Sequence, residues 1–373
     1  MRVLTVNAGS SSLKLTLLAC AREGDDDETT IASRTLDAPR AQVDGQELRA
    51  ALDSPLGEAD AIGHRIVHGG ERYHKAVRID AAVEANLREL VDLAPLHQPK
   101  SLAALDAVSE LLPDVPAVAC FDTAFHATLP AAASTYALPA QWRERWGLRR
   151  YGFHGLSHAW VARRTPELLR RDPTELRIVS CHLGAGASLC AIHDGRSLDT
   201  TMGFTPLEGL VMATRSGSVD PGMLLWLAEH EQLSVAELAD ALEHRSGLLG
   251  LAGSADMREI IARDAAGEPA AELALAVYVH RLRGEIAAMT ASLGGLDALA
   301  FTGGVGEHSA PLRAMTVAGL GFLGVELDAT RNHAGEPDRE LSGADSRVHT
   351  IVIEAREDLE IARQVRAALA GTE

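Results

Sequence analysis

Two glycine- and serine-rich turns, each between two apolar runs, are the parts of this sequence best suited to bind an anion. The first is NAGSSSLK (7–14) and the second is HLGAGASL (182–189). The pattern predicts a β-hairpin whose turn presents backbone N–H groups, and converging N–H dipoles suit phosphate oxygens. Neither turn has the Walker A or the dinucleotide-binding spacing. An ordinary hairpin loop is the alternative for each copy, and the recurrence weighs against it.

Five further polar motifs carry charged residues or histidines next to apolar runs. They are HRIVHGGE (64–71), FDTAFH (121–126), YGFHGLSH (151–158), DTTMGFTPLE (199–208) and TRSGSVDP (214–221). Taken singly, Arg65 or Arg215 is usually a loop salt bridge, His154 a structural histidine and Asp122 a cap. Open α/β sheets bind ligands beyond the carboxyl ends of their strands. Taken together, these groups predict a phosphoryl-transfer site, which needs positive charge around the transferring group.

Composition narrows the class of protein further. The chain has 373 residues, of which 46% are hydrophobic. Since a domain typically has roughly 150 residues, this length predicts two domains with sizeable cores. With 35 Lys+Arg against 52 Asp+Glu the net charge is −17, which argues against a nucleic-acid or membrane partner. Four cysteines without C-x-x-C spacing indicate reduced core residues of a cytoplasmic protein. We find no signal peptide and no apolar stretch of the ~18 residues that cross a bilayer.

Strands alternate with helices along the chain, which predicts an α/β fold. Predicted strands are 2–7, 13–19, 60–67, 115–121, 177–182, 188–193, 298–302 and 348–354. Predicted helices are 81–93, 100–112, 156–171, 221–231, 234–244, 256–265, 268–293, 310–318 and 357–370. Ser234 and Glu237 form a capping box, and Gly294-Gly295 ends the long helix. We expect a solvated loop at 22–30, a domain boundary near 122–155, and a last helix that returns to the first domain.

The motifs, read in order, resemble one known family. NAGSSSLK, HRIVHGGE, LAPLHQPKSL, FDTAFHATLP, RRYGFHGLSH, HLGAGAS, DTTMGFTPLEGL, TRSGSVDPG and FTGGVGEH occur between residues 7 and 308, and the chain closely resembles the acetate kinases. The resemblance implies a duplicated ribonuclease H-like, actin-like ATPase fold with an active-site cleft between two domains. The first domain would be 1–122 plus 357–373 and the second 123–356. The resemblance also implies ATP and acetate as substrates and ADP and acetyl phosphate as products. It implies Mg²⁺ or Mn²⁺ as the metal cofactor and a homodimer joined through the second domain.

The resemblance assigns roles to the acid-binding and catalytic residues. Arg65 and Arg215 match the arginines that hold the carboxylate and the phosphoryl group, and Asp122 matches the active-site aspartate. His97 and His154 match the two active-site histidines, and His154 with Arg215 would stabilise the transition state. The pocket for the substrate methyl group matches Val67, Leu96, Phe153 and Pro206.

The resemblance also assigns nucleotide and metal ligands. The nucleotide-binding residues that match are Ser10, Ser12, Lys14, His182, Leu183, Gly184, Ala185, Gly186, Asp256, Met257, Arg258, Gly303, Gly304, Val305 and Gly306. Asn7 and Glu357 match the residues that organise the metal. Because these groups come from both halves of the chain, we expect the domains to close around nucleotide and Mg²⁺.

The chemistry agrees with this assignment. A carboxylate with a pKa near ~4 to 5 is ionised at neutral pH, so its attack on phosphorus needs no general base. Repulsion between two anions must instead be relieved, which is a task for arginines, a histidine and Mg²⁺. Direct in-line transfer is therefore simpler than a phosphohistidine intermediate.

Several positions depart from the family pattern, and they concern nucleotide affinity more than reaction type. Ala185, Met257, His308, Arg356, Gln98 and Leu156 stand where the family commonly has Asn, Phe, Asn, Asn, Asn and Thr. Two alternatives stay open: a propionate or butyrate kinase, distinguished by pocket volume, and a non-enzymatic ATP-binding protein of the chaperone or actin kind. A pyrophosphate-dependent variant is disfavoured, because Gly304 leaves room for adenosine.

Overall fold

The structure is a computed structural model that describes residues 1–9, 12–20, 28–38, 44–93, 98–333 and 335–371, without the side chains of 92 and 93. The chain divides into two compact units. Unit 1 comprises Met1–Ala127, His154–Trp160 and Arg356–Glu373, and unit 2 comprises Thr128–Phe153 and Val161–Ala355. Within the described ranges, no helix has the length and apolar character needed to cross a membrane.

Unit 1 contains a six-stranded mixed sheet. Its strands are β1 (Arg2–Ala8), β2 (Ser12–Cys20), β3 (Glu28–Asp37), β4 (Ala61–Ile66), β5 (Val77–Arg78) and β6 (Ala117–Phe121). Their order is β3-β2-β1-β4-β6-β5. The three central strands β1, β4 and β6 are parallel, and β2, β3 and β5 each pair antiparallel to a neighbour.

Unit 2 repeats this topology. Its strands are β7 (Arg177–Leu183), β8 (Ala187–His193), β9 (Arg196–Thr200), β10 (Ala298–Thr302), β11 (Arg339–Glu340) and β12 (His349–Val352). Read from the hairpin side, their order is β9-β8-β7-β10-β12-β11, with β7, β10 and β12 parallel and the others antiparallel. The predicted duplication and the α/β class are therefore confirmed.

The helices lie between these strands. They are α1 (Gly45–Leu52), α2 (Ala81–Glu89), α3 (Gln98–Leu111), α4 (Ala131–Ser134), α5 (Ala140–Trp146), α6 (Gly155–Leu169), α7 (Pro221–His230), α8 (Val235–His244), α9 (Gly247–Ala252), α10 (Met257–Ala265), α11 (Pro269–Leu293), α12 (Gly303–His308), α13 (Ala310–Val317), α14 (Ala329–His333) and α15 (Glu357–Ala370). The predicted capping box at Ser234 and Glu237 is present, and Gly294 ends α11 with a left-handed φ of 67°.

Helices cover both faces of the first sheet. On one face, Leu4 and Val6 of β1 pack in a buried cluster with Leu48 of α1 and Val108 of α3. On the other face, Val3 and Leu18 pack with Ile361 and Val365 of α15. A Cβ on Gly63 of β4 would lie 2.4 Å from the Ile361 side chain, so glycine lets α15 approach the sheet closely. The last helix is thus part of the core of unit 1.

Sequence patterning missed several elements and misassigned one. The solvated loop predicted for 22–30 is wrong for Glu28–Thr30, which belong to β3, while 21–27 lie outside the described residues. β3 is an edge strand with mostly exposed side chains, so it lacks the alternation that marks a half-buried strand. The elements β5, β9, α1, α4, α5, α9, α12, α14 and β11 were also not predicted, and most of them are short.

Candidate functional site

The parallel strands of unit 1 bring Arg65 and Asp122 together. Arg65 lies near the end of β4, and Asp122 directly follows the neighbouring strand β6. The guanidinium donates from Nε to both carboxylate oxygens at 3.1 Å and from Nη2 to Oδ2 at 2.5 Å. The Asp122 side chain is only 1% exposed, whereas that of Arg65 is 15% exposed. One edge of the arginine is therefore committed to a buried carboxylate, a geometry that fixes its orientation.

Asn7 and Glu357 complete a connected polar cluster with this pair. The Asn7 amide accepts a hydrogen bond from Arg65 Nη1 at 3.2 Å and donates one to Glu357 Oε2 at 2.7 Å. Glu357 Oε2 also lies 4.0 Å from Arg65 Nε. Asn7 comes from β1 and Glu357 is the first residue of α15. Residues 350 positions apart in sequence thus share one hydrogen bond.

The electrostatics of this cluster follow from two carboxylates around one guanidinium. Burial opposes the charge of Arg65, but the negative charges of Asp122 and Glu357 outweigh it and raise the pKa of Arg65. Burial, aided by the charge of Glu357, raises the pKa of Asp122, although Arg65 acts in the opposite sense. The arginine therefore stays charged and is held between two carboxyl groups, whose oxygens are ligands suited to a hard cation.

His154 is held beside Asp122 by the backbone. It has a left-handed φ of 56° and directly precedes α6. The N–H of the next residue, Gly155, donates to the Asp122 carbonyl oxygen at 2.8 Å. A Cβ on Gly155 would lie 2.1 Å from that oxygen, so only glycine fits at this contact. The strained conformation of a non-glycine residue here is typical of a functional position.

The first predicted phosphate turn is the hairpin between β1 and β2, and the antiparallel register confirms the hairpin. Gly9 N donates to Ser12 O at 2.8 Å across the turn. Lys14 is exposed and pairs in register with Asn7. Ser10 lies outside the described residues, as do Leu96 and His97.

The second predicted phosphate turn is the hairpin between β7 and β8, which is confirmed in the same way. Gly184 N donates to Gly186 O at 3.0 Å, and Ala185 O accepts from Ala213 N at 3.1 Å. His182 and Leu183 end β7 on the way into this turn. The turn is therefore narrow, built from small residues, and tied to the loop that follows β9.

A cavity of about 920 Å³ in unit 2 is lined by seven of the fifteen predicted nucleotide-binding residues. Gly184, Ala185, Asp256, Met257, Arg258, Gly304 and Val305 line it, together with Ala213, Leu248, Ala255, Ile261, Tyr278, His308, Ser309 and Pro311. Asp256 caps α10, and its carboxylate binds the Arg258 side chain at 2.6 Å, which with the backbone lowers the pKa of Asp256 to about 2. The volume is that of a typical small-molecule site.

Two glycines shape one wall of this cavity. Gly303 has a φ of 76°, and a Cβ there would lie 2.8 Å from Leu183 O. A Cβ on Gly304 would meet no atom within 4 Å, because that side of the residue faces open space. Gly303 therefore allows the close approach of α12 to β7, and Gly304 leaves room for a ligand. Gly306, the last of these glycines, is buried in α12.

Arg215 is held by a different set of groups in unit 2. Its Nε lies 3.2 Å from Glu243 Oε2, and its Nη1 donates to the Pro206 carbonyl oxygen at 3.1 Å. Burial lowers the pKa of Arg215, and the charge of Glu243 opposes that effect. Sequence patterning did not single out Glu243, which is one of several acidic residues on α8. Only the tertiary contact distinguishes it from its neighbours.

The predicted acid-binding side chains are divided between the units. Val67 is 7% exposed and belongs to unit 1, whereas Phe153 (1% exposed) and the buried Pro206 belong to unit 2. Pro206 lies in a loop organised by Glu208, which binds Arg150 at 2.7 Å and Tyr136 at 2.5 Å. Arg150 also donates to the carbonyl oxygens of residues 200–202. This loop-ordering network was not predicted.

Two sheets of one topology, with glycine-rich hairpin turns and a nucleotide-sized cavity, define the duplicated actin-like ATPase class. A sequence model of the acetokinase family matches residues 45–363, and the chain therefore belongs to that family.

Individual relatives agree with this assignment. The chain is 44% identical to an acetate kinase of Nostoc punctiforme over 97% of this chain and 98% of that one. It is 45% identical to an acetate kinase of Leifsonia xyli over 99% of each. The crystal structure of Porphyromonas gingivalis acetate kinase superposes with a TM-score of 0.88 at 35% identity, over 99% of both chains. A propionate kinase of Francisella tularensis also gives 0.88, at 32% identity over 98% of this chain and 99% of that one.

Proposed function

We propose that this member of the acetokinase family is an acetate kinase, which transfers the γ-phosphoryl group of ATP reversibly to acetate and gives acetyl phosphate and ADP. The observation that carries the proposal is the cluster that Arg65, Asp122 and Asn7 at the strand ends of unit 1 form with Glu357 at the start of α15. The family of the chain and the acetate kinases among its relatives support the same activity.

The acid substrate requires charge relief rather than a base. Acetate is ionised at neutral pH, so its oxygen attacks phosphorus directly when repulsion between the two anions is reduced. Arg65, whose orientation is fixed by Asp122, holds the carboxylate. Arg215 with His154 stabilises the charge on the equatorial oxygens in the transition state, and His97 is the second active-site histidine. In-line transfer then needs no covalent enzyme intermediate.

The nucleotide binds in the cavity of unit 2. The narrow turn at 184–186 offers backbone donors for phosphate oxygens. We expect Ser10, Ser12 and Lys14 of the first turn to contact phosphate as well. The open space beside Gly304 takes the adenosine, and Asp256 with Arg258 contacts it at the cavity edge. Met257 supplies a polarisable neighbour to the base.

Mg²⁺ or Mn²⁺ fits the oxygen donors of the unit 1 cluster. The described residues contain no group of three or more His, Cys, Asp or Glu side chains arranged to hold a metal on their own. Mg²⁺ commonly takes only one or two protein ligands and keeps waters and substrate phosphates for the rest. Asn7 and Glu357 would be the protein ligands, and the ion would neutralise phosphate charge.

A propionate kinase is the second candidate, because one solved structure of this similarity carries that name. A hydroxamate assay with acetate, propionate and butyrate, each with ATP or pyrophosphate, separates the candidates. We expect acetate with ATP and Mg²⁺ to give the highest kcat/KM. A higher kcat/KM for propionate would show that propionate is the preferred substrate. If none of the acids gives an acyl phosphate, the proposed kinase activity is refuted.

We also propose a homodimer formed through unit 2. No residue of α7 is buried, and three large apolar side chains of this helix face solvent. Met223, Leu225 and Trp226 are 43, 68 and 52% exposed. Three large exposed apolar side chains on one short helix are a feature of protein interfaces. Light scattering should give twice the monomer mass, and a Leu225→Asp, Trp226→Glu variant should be monomeric. A dimer unaffected by this variant would place the interface elsewhere.

A reducing, cytoplasmic setting agrees with the cysteines. Cys20, Cys120, Cys181 and Cys190 are all free and buried, and burial raises the pKa of each thiol. Such thiols are packing residues rather than nucleophiles.

A further inference from the structure

A second cavity, of about 630 Å³, lies within unit 1 and shares no lining residue with the nucleotide cavity. One part of its lining is formed by residues 74–78 at β5, and another by residues between 360 and 371 in and just after α15. Phe121, Phe125 and Ala159 provide apolar wall between them. Its size lies in the range of sites that bind small metabolites.

The β5 side of this cavity carries unneutralised positive charge. Lys75 and Arg78 are exposed, and in the described part of the chain neither forms an ion pair. His74 stands beside them. Glu360 is the one carboxylate among the described lining residues, and it is already paired with Arg363 at 2.6 Å. Among the described residues that line the cavity, two positive charges are therefore left without a paired carboxylate.

The α15 side carries a buried acceptor that lacks a donor. Glu360 is 0% exposed, and its Oε1 accepts a hydrogen bond from Gln364 Nε2 at 2.8 Å. This bond fixes the orientation of the Gln364 amide, since a carboxylate cannot donate. Gln364 Oε1 is then left buried without a hydrogen-bond partner among the described residues. A buried acceptor of this kind favours a ligand that brings an O–H or N–H group.

We propose that this cavity binds a small organic anion with a hydroxyl or amino group, of the hydroxycarboxylate or sugar-phosphate class. Its negative group is held by Lys75 and Arg78, and its donor is held by Gln364 Oε1. Its hydrocarbon part contacts Phe121 and Phe125.

The cavity adjoins the backbone that positions Asp122. Phe121 immediately precedes Asp122, and Gly155 of the cavity wall donates to the Asp122 carbonyl oxygen at 2.8 Å. A ligand packed against Phe121 and Gly155 restrains this segment, so occupancy lowers kcat of acyl phosphate formation more than it changes KM for acetate. This coupling rests on the proposed role of Asp122, whereas binding itself does not.

Binding is tested first, by calorimetric titration of the full-length protein with L-malate, succinate, glycerol 3-phosphate and glycerol, each in saturating acetate. We expect malate and glycerol 3-phosphate to bind, glycerol not to bind, and succinate to bind about fivefold more weakly than malate, because it lacks the hydroxyl. Hydrogen exchange should slow at 74–78 and 360–371. No heat from either anion up to about 10 mM, or displacement of both by acetate, overturns the proposal.

Variants assign the binding to this cavity. Lys75→Ala with Arg78→Ala should weaken both anions about tenfold, whereas Arg34→Ala with Arg49→Ala, two exposed arginines elsewhere in unit 1, should not. Gln364→Leu should abolish the preference for malate over succinate. Equal binding by all variants places the anion elsewhere and overturns the proposal.

Activity tests the coupling separately. Malate should lower wild-type kcat but not that of the Lys75→Ala, Arg78→Ala variant, whose basal turnover should match wild type. An unchanged kcat with malate bound refutes the coupling and leaves the binding site in place. Failure of the acetate reaction without any malate refutes the proposed function instead.

Discussion

The two sheets share one strand order, but the ends of their central strands carry different chemistry. In unit 1, the polar groups Asn7, Arg65 and Asp122 lie at the ends of β1, β4 and β6. In unit 2, β7 leads into the turn at 184–186 and β10 leads directly into Gly303. The strand ends of unit 1 therefore carry charged and polar side chains, whereas those of unit 2 lead into glycine-rich turns beside open space. A duplicated fold lets each copy specialise without changing the scaffold.

The arginines of the two units differ in the same way. Arg65 makes three hydrogen bonds to one buried carboxylate, and its pKa is raised. Arg215 forms an ion pair with Glu243 and donates to the Pro206 carbonyl oxygen, and burial lowers its pKa. The carboxylate paired with Arg65 is the more deeply buried of the two, so the loss of Arg65 should disturb its unit more.

The largest expected effect is that of Arg65→Ala, which should lower kcat at least about 10²-fold, since a transition-state contact is lost. It should also lower the free energy of unfolding by roughly 3 kcal/mol, because Asp122 is left buried and unpaired. Arg65→Lys should rescue poorly, because an ammonium cannot bind both carboxylate oxygens as the guanidinium does. Steady-state kinetics and denaturant unfolding check both effects, with Arg34→Ala as the matched exposed control. Near-wild-type turnover would refute the assigned role.

Arg215→Ala should also lower kcat about 10²-fold, but with a smaller loss of stability than Arg65→Ala, because Glu243 is more exposed than Asp122 (11 against 1%). Arg196→Ala on the exposed part of β9 is the control in unit 2. If Arg65→Ala and Arg215→Ala lower the free energy of unfolding equally, the deeper burial of Asp122 does not make Arg65 more important for stability.

Filling the open side of Gly304 should affect the nucleotide alone. Gly304→Leu should raise KM for ATP at least about tenfold and leave KM for acetate within about twofold, since the new side chain enters the cavity of unit 2. Gly321→Leu is the control, because a Cβ there also meets no atom within 4 Å but lies outside the cavity. A parallel rise in both KM values would contradict the division of roles between the units.

Val67→Ala should shift acid preference towards propionate and butyrate by about 1–3 kcal/mol in relative kcat/KM, the usual contribution of a methylene in an apolar pocket. KM for ATP should not change. The hydroxamate assay with the three acids measures the shift. If the preference stays constant, Val67 does not line the acid pocket.

A separate prediction concerns stability rather than activity, through the pH dependence of unit 1. His64 of β4 is 1% exposed, neither ring nitrogen has a hydrogen-bond partner among the described residues, and burial lowers its pKa to about 3. Between pH 6.5 and 3 the unfolded chain therefore binds a proton that the folded chain does not, so stability falls as pH falls. His64→Leu should reduce the loss between about pH 7 and 5 by on the order of 2 kcal/mol.

Hydrogen exchange measured at both pH values checks this prediction and shows which strands are stabilised. The gain from His64→Leu should appear in β1, β4 and β6, with no comparable gain in the second sheet. The same pH dependence in wild type and variant would show that His64 is not the group that titrates.

Much of the fold was readable from the sequence, because buried strands and long helices have a period in their apolar residues. The hairpins at β1–β2 and β7–β8 were predicted from turn residues between apolar runs, and the capping box at Ser234 from local spacing. The edge strand β3 was not, because its side chains are mostly exposed and carry no such period. The family was also readable, since its motifs are specific combinations of residues.

The sequence by itself therefore determined the duplicated α/β fold and the residue types at the strand ends, since turns, caps and apolar periods are local properties. Tertiary structure decided which groups meet. Nothing local pairs Arg65 with Asp122, 57 residues away, or Arg215 with Glu243 rather than with another acid of α8. The unit 1 cavity likewise exists only because residues 74–78 and α15 pack on the same sheet. Contacts between distant segments depend on how whole elements pack, and no short sequence pattern encodes that.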